Sequence, residues 1–289
     1  MNLFNIIEEI EKVDPEFNER ISPRRAAIKN ITSFGSKVAV AALPFALGTM
    51  FKKAYAADTA AVSVTDVLNY ALTLEYLEST FYNAGTAAKG LIPAKDASYI
   101  ADITDDENHH VTFLQTVITQ LGGKPVTAPP FDLTAGNGKG NGPFADVLTN
   151  YKTFLAVAET FEDTGVRAYK GQAPNLVGNQ VVLTAALSIH AVEARHASAV
   201  RYLRTTSGFA EVGVWINSTT GLGNDTGISL VNGNYNGEDN VMQGGVDVSK
   251  LKDDGGKPIG QIDAAAAFDE PLSMSDVLAL LVGSFIVKQ

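Results

Sequence analysis

The chain has 289 residues, of which 45% are hydrophobic, and 22 lysines and arginines against 32 aspartates and glutamates give it a formal net charge of −10. Phosphate backbones repel a chain this acidic, so we expect no nucleic-acid binding. The absence of cysteine excludes disulfides, thiolate zinc sites, cysteine-ligated iron–sulfur clusters and cysteine nucleophiles.

The first 56 residues combine a charged region, a short apolar run and a small-residue cleavage site, which are features of an export signal. These are Arg24-Arg25, residues 38–51 and Ala54-Tyr55-Ala56. The paired arginines resemble a twin-arginine signal, although Ala27 stands where that pattern prefers phenylalanine. We predict that residues 1–56 engage the export machinery and are cleaved, which leaves a periplasmic or envelope protein. A plain secretory signal and an uncleaved membrane anchor are the alternatives.

Four segments of the mature chain show the 3.6-residue periodicity of amphipathic helices. They cover residues 64–83, 94–121, 143–170 and 179–205. Ser63, with Asp66 three residues later, resembles a capping box at the start of the first segment. A loop of about twenty residues, rich in turn-forming residues, separates the second helix from the third. The pattern predicts an all-α fold in which residues 57–205 form a four-helix bundle with a long crossover.

Each predicted helix carries glutamate, or glutamate and histidine, in the middle of its apolar stripe. Unpaired buried carboxylates are very costly, and no lysine or arginine lies on any of the four stripes. A pair of metal ions would supply the positive charge that balances the buried glutamates of all four helices. The candidate ligands are Glu75, Glu107, His110, Glu159, Glu193 and His196.

The spacing of these residues repeats between the two halves of the bundle. Residues 107–110 and 193–196 are both E-x-x-H, and residues three apart share one face of a helix. Glu75 lies 32 residues before the first motif, and Glu159 lies 34 residues before the second. Each helix pair therefore offers one lone glutamate followed by a Glu-x-x-His pair.

In this order of ligands the chain resembles the ferritin-like di-metal carboxylate superfamily, in which two helices give one glutamate each and two give Glu-x-x-His. The whole chain is most similar to exported bacterial ferritin-like domain proteins related to desiccation-associated proteins. The resemblance implies a ferritin-like bundle with Glu75 and Glu159 as single carboxylate ligands. Four further residues are candidates for supporting roles beside the ligands: Glu78, Tyr82, Glu162 and His190.

Four carboxylates and two imidazoles form an oxygen-rich donor set that suits iron or manganese better than structural zinc. We expect two iron ions, with manganese as the alternative and with Glu107 or Glu159 bridging them. The activity that follows is oxidation of ferrous iron by dioxygen or peroxide. A manganese catalase-like peroxide dismutase is a second possibility. The third is a non-enzymatic envelope stress or binding protein with structural or absent metal.

Residues 206–289 are dense in glycine, asparagine and aspartate, and they predict turns and short strands. Residues 223–240 have the pattern of hairpins, and residues 273–285 predict a final helix. We expect this extension to pack on the bundle, with a separate partner-binding module as the alternative. The extension and the long crossover would crowd the packing surfaces of a ferritin-type shell. We therefore expect no such shell, and a smaller oligomer is compatible with the sequence.

Overall fold

A computed structural model describes residues 62–210, 213–216 and 229–288. The predicted export signal at residues 1–56 lies outside these described residues. Among the helices that are described, none is both long enough and apolar enough to cross a membrane.

Four long helices form the body of the protein. They are α1 (Val64–Ala87), α2 (Ala97–Gln120), α3 (Tyr151–Leu176) and α4 (Gln180–Thr206). The most extensive contacts join α1 to α2 and α3 to α4, and α1 also packs against α3. Short connections within each pair make its helices antiparallel, whereas the link from α2 to α3 is long. The prediction of an all-α ferritin-like bundle is confirmed.

Side chains at the helix starts explain where the helices begin. Ser63 and Asp66 form the predicted capping box of α1, with Ser63 Oγ accepting from the Asp66 amide at 3.1 Å. The third helix starts later than predicted, because the Asn150 side chain accepts from the Lys152 amide at 3.1 Å and caps α3 there. Residues 143–149 form turns instead, which lengthens the crossover.

Asp132 organises the crossover loop. Its carboxylate accepts hydrogen bonds from the backbone amides of Thr134, Gly138 and Gly140 at 2.9 to 3.0 Å. The Asp132 amide in turn donates to the Phe285 carbonyl at 2.8 Å. The crossover and the C-terminal segment are therefore joined at the same side of the bundle.

The extension forms small elements in the order α5 (Ser229–Asn232), a 3₁₀ turn (Gly233–Tyr235), β1 (Met242–Gln243), β2 (Val246–Asp247), a second 3₁₀ turn (Val248–Lys250), α6 (Gln261–Ala266) and α7 (Met274–Leu281). The antiparallel hairpin turns at Gly244 and Gly245, both at positive φ. Of the predicted hairpin region, residues 223–228 lie outside the described residues, and residues 229–235 form α5 and the first 3₁₀ turn instead. The final helix is shorter than predicted, because Gly283, two residues after its last residue, adopts a φ of 84°.

A buried arginine attaches the extension to α3. Arg167 is 1% exposed, and its Nε lies 2.8 Å from Glu238 Oε1 and 2.7 Å from the Glu270 carbonyl. Its two terminal nitrogens donate to the carbonyls of Asn234 and Asn236. One side chain of the bundle therefore binds four residues of the extension.

Candidate metal centre

Six acidic and histidine side chains from all four long helices meet inside the bundle. They are Glu75 from α1, Glu107 and His110 from α2, Glu162 from α3, and Glu193 and His196 from α4. We call these six residues the cluster. Its four carboxylates are completely buried, and its two histidines are less than 10% exposed.

The first half of the cluster is centred on His110. Its Nδ1 lies 3.1 Å from Glu75 Oε2 and 3.3 Å from Glu107 Oε2. It also lies 3.3 Å from Glu193 Oε1. These four residues offer one ligand atom each within 4.8 Å of one another.

The second half is centred on His196. Its Nδ1 lies 2.9 Å from Glu107 Oε1 and 3.3 Å from Glu162 Oε2. Glu107, Glu162, Glu193 and His196 form a second group that satisfies the same 4.8 Å limit. Glu107 and Glu193 therefore belong to both groups.

The cluster fits a metal ion because several of its closely spaced buried atoms have no hydrogen-bond partner among the described residues. Glu107 Oε1, Glu162 Oε2, both carboxylate oxygens of Glu193 and His196 Nδ1 are buried without a hydrogen-bond partner among the described residues. Such atoms are costly to bury unless a partner is supplied. A cation supplies one, and two divalent ions would balance the four carboxylate charges. Oxygen and imidazole donors of this kind suit iron or manganese.

The structure corrects the position assigned to Glu159. Glu159 Oε2 accepts a hydrogen bond from Arg204 Nη1 at 2.7 Å, and its Oε1 lies 3.6 Å from Arg201 Nη1. Both arginines come from α4 and are buried, whereas no arginine was assigned to the helix stripes. Glu162, one turn later, enters the cluster instead. Glu107 and Glu193, and not Glu159, are the carboxylates common to both groups.

Two tyrosines identify Glu162 as the counterpart of Glu75. The Tyr169 hydroxyl donates to Glu75 Oε1, and the Tyr82 hydroxyl donates to Glu162 Oε1. Tyr82 follows Glu75 by seven residues, and Tyr169 follows Glu162 by seven. The lone glutamates thus precede the Glu-x-x-His motifs by 32 and 31 residues. This repeated spacing is the sequence signal that would have selected Glu162.

Asp106 is a supporting residue that the sequence analysis missed. Its Oδ2 lies 3.2 Å from His196 Nε2, on the opposite side of the imidazole ring from the cluster. A carboxylate in this position holds the Nε2 proton and leaves Nδ1 with a lone pair for a metal. Its position immediately before Glu107 is the only hint in the sequence.

The other two candidate supporting residues lie in different surroundings. His190 Nδ1 donates to the Val166 carbonyl at 2.9 Å, so His190 links α4 to the backbone of α3. Glu78 is buried beside the cluster. A Cβ atom at Gly165 would lie 2.7 Å from Glu193 Oε2 and 3.4 Å from Glu78 Oε1. Glycine at this point in α3 leaves the space that these two carboxylates need.

The metal-free cluster holds protons because its acidic groups are buried together. Burial, reinforced by the charge of Glu75, raises the pKa of Glu107 to about 7. Burial, reinforced by Glu107, also raises the pKa of Glu193 well above its ordinary value. Burial alone would lower the pKa of His196, but the carboxylates of Glu162 and Glu107 raise it to about 11.

These shifts predict how the stability of the metal-free protein depends on pH. A raised folded-state pKa gives stability that is complete below the unfolded pKa and is lost as pH rises through the folded value. We therefore expect the melting temperature in chelator to fall between pH 6 and pH 8, with Glu107 titrating at about 7. With bound metal the ligands no longer need protons, so the rise in melting temperature caused by metal should grow with pH.

Calorimetric melting at several pH values, with chelator and with added manganese, measures this effect. The variant Glu107→Gln/Glu193→Gln is the control. It should show a smaller fall with pH, because the pair of His196 with Glu162 remains, and no response to metal. A metal-induced shift of equal size at pH 6 and pH 8 would contradict the prediction.

Comparison with known families agrees with this geometry. Residues 63–206 match the family model of the ferritin-like domain. The matched segment contains all four long helices and all six residues of the cluster, and the extension lies outside it. A search of curated proteins gave no match to the chain. The four-helix bundle of this protein is therefore a domain of the ferritin-like superfamily.

Proposed function

We propose that the cluster binds two iron ions and that the protein oxidises ferrous iron with dioxygen or peroxide. The observation that carries the proposal is the sharing of Glu107 and Glu193 between two overlapping groups of ligand atoms. A mononuclear site needs only one such group. Two groups with two common carboxylates are the arrangement that a bridged metal pair requires.

The residues divide into three roles. Glu75 and His110 would hold one ion, Glu162 and His196 would hold the other, and Glu107 and Glu193 would hold both. When bound, an iron pair would supply two electrons, which with two protons reduce one dioxygen to hydrogen peroxide, or one hydrogen peroxide to two water molecules.

The surrounding protein positions the carboxylates and excludes bulk water. The Tyr82 and Tyr169 hydroxyls each fix one oxygen of a lone glutamate, which leaves the other oxygen directed to the cluster. Asp106 orients His196 in the same way. Fully buried carboxylates keep water from competing for the ligand atoms and strengthen their attraction to a cation.

Metal analysis together with an oxidation assay tests the proposal. We expect about two iron ions per chain, and oxygen-dependent ferric absorbance when ferrous iron is added. Glu107→Ala/Glu193→Ala should lose both properties. Asp102→Ala/Asp105→Ala, which removes two exposed carboxylates from the same helix, should keep both. If neither the wild type nor any variant binds metal, the proposal is wrong and the non-enzymatic alternative is favoured. Bound manganese with peroxide dismutation and no ferrous oxidation would favour the catalase-like one.

We propose further that residues 1–56 direct the protein to the periplasm or cell envelope, as in the exported desiccation-related proteins that the chain resembles. The arginine pair and the cleavage pattern support this proposal. Mass spectrometry of the envelope fraction should find a mature chain that begins at Ala57. Arg24→Lys/Arg25→Lys should trap the precursor inside the cell, and continued export of that variant would indicate a plain secretory signal.

A small assembly, rather than a ferritin-type shell, is the state we propose in solution. The extension covers part of α3, where Arg167 and the Leu272 amide join the two. That surface is then not free for packing against another subunit. The mass from light scattering checks this, and a mass of 24 subunits would contradict it.

A further inference from the structure

An apolar cavity lies in the bundle interior beside the cluster. It leaves about 20 Å³ for the centre of a water-sized molecule, and all four long helices line it. One water needs about 10–15 Å³ by this measure, so the cavity has room for one small molecule.

The cavity is directly adjacent to the candidate metal ligands. Three of its lining residues lie one helical turn from a residue of the cluster: Ala71, Leu114 and Ile189. A fourth, Tyr169, also donates its hydroxyl to Glu75. A molecule in the cavity would therefore be separated from the cluster by about one layer of side chains.

The lining favours a nonpolar occupant over water. Most of the lining side chains are aliphatic or aromatic, and the three polar exceptions are Tyr70, Tyr169 and Gln172. The Tyr169 hydroxyl is engaged by Glu75, and Gln172 Oε1 accepts from Asn175 at 3.0 Å. Only the Tyr70 hydroxyl is buried without a partner among the described residues of this lining. A trapped water needs two to four polar partners, and peroxide needs at least as many, so both are disfavoured.

The cavity comes closest to solvent between α2 and α4. The lining residues that are half-buried rather than buried are Phe113 and Val117 on α2 and Ala185 on α4. This side is therefore where we expect a small molecule to enter.

We infer that this cavity binds a small nonpolar molecule and that it holds dioxygen beside the cluster. The dioxygen assignment rests on the proposed ferrous oxidation, whereas nonpolar binding depends only on the cavity. The site selects dioxygen over peroxide, because only dioxygen can leave water without losing strong hydrogen bonds.

Xenon is the probe that tests the cavity without relying on activity. Crystals of the metal-free protein under xenon pressure should show one xenon atom among Ala71, Ala186 and Ile189. Ala186→Leu fills the space and should abolish this xenon atom, whereas Ala191→Leu makes the same change at an exposed position of α4 and should keep it. Val182→Ala enlarges the space and should raise the xenon occupancy.

Two sets of measurements separate this inference from the proposed function. In the metal-loaded enzyme, Ala186→Leu should raise the KM for dioxygen several-fold and leave the metal content and the rate with peroxide unchanged. An absence of xenon in the wild type, or equal occupancy in the wild type and in Ala186→Leu, would overturn the cavity site. Bound xenon in a protein that takes up no metal would support the nonpolar site and overturn the proposed function.

Discussion

Replacing Glu162 with glutamine should remove bound metal without unfolding the protein. Replacing Glu159 with glutamine should lower the stability of the protein and leave its metal content unchanged. Glu162 faces the cluster and has one oxygen without a hydrogen-bond partner among the described residues. The amide keeps the shape of the side chain and can still accept from Tyr82, but it removes the charge that a metal requires. In the metal-free protein this change also relieves repulsion among buried carboxylates, so stability should hold or rise.

Glu159 has the opposite role because its partners are arginines. Its carboxylate lies against Arg204 and Arg201, both of which are buried. Glu159→Gln leaves that positive charge incompletely balanced, and breaking a buried ion pair costs about 3–5 kcal/mol. Denaturant unfolding should show this loss, and metal content should remain that of the wild type.

Metal analysis and urea unfolding of the two variants, side by side, decide between the two glutamates. Asp146→Asn is a suitable control, since Asp146 is exposed and outside both networks. Loss of metal in Glu159→Gln with full binding in Glu162→Gln would contradict the arrangement and restore the assignment made from sequence.

Replacing Arg167 with methionine should detach the extension from the bundle. The substitution leaves Glu238 buried without its cation and removes the donor to the carbonyls of Asn234, Asn236 and Glu270. Burial already outweighs the attraction of Arg167 and raises the pKa of Glu238 to about 7. Without the arginine the buried carboxylate has no compensation, so we expect a loss of about 3–5 kcal/mol.

Limited proteolysis and thermal unfolding together measure this attachment. Cleavage within residues 229–288 should be much faster in Arg167→Met than in the wild type, because the extension opens locally. Arg195→Met, at an exposed position of α4, should change stability by no more than about 0.5 kcal/mol. Arg167→Met/Glu238→Leu removes both charges and should recover part of the loss. Unchanged proteolysis in Arg167→Met would show that other contacts hold the extension.

Gly171 explains why the extension can cross α3 so closely next to Arg167. A Cβ atom at this position would lie 1.9 Å from the Leu272 carbonyl oxygen. The Leu272 amide donates to the Arg167 carbonyl at 3.1 Å. The extension is thus hydrogen-bonded to the backbone of α3. Its conformation depends on contacts between residues that lie about 100 positions apart in the chain.

The sequence alone determined the features that depend on local periodicity and spacing. The apolar stripes predicted four helices, and Ser63 with Asp66 predicted the start of the first. Each Glu-x-x-His motif predicted a glutamate and a histidine on one face, because residues three apart on a helix are neighbours whatever the helix packs against. Glu75 was identified by its spacing from the first motif. These five residues all converge in the structure, and their role as metal ligands stays a prediction.

Only the tertiary structure decided between Glu159 and Glu162. The two residues are three positions apart, so both fall on the inner face of α3, and periodicity cannot separate them. The choice depends on the rotation of α3 against α4, which sets Arg201 and Arg204 opposite Glu159. The burial of Arg167 could not be predicted either, because its partners Glu238 and Glu270 lie about 70 to 100 residues away in the chain. Whether a charged side chain can be buried depends on the groups that face it from other helices. The sequence of one helix does not show which groups those are.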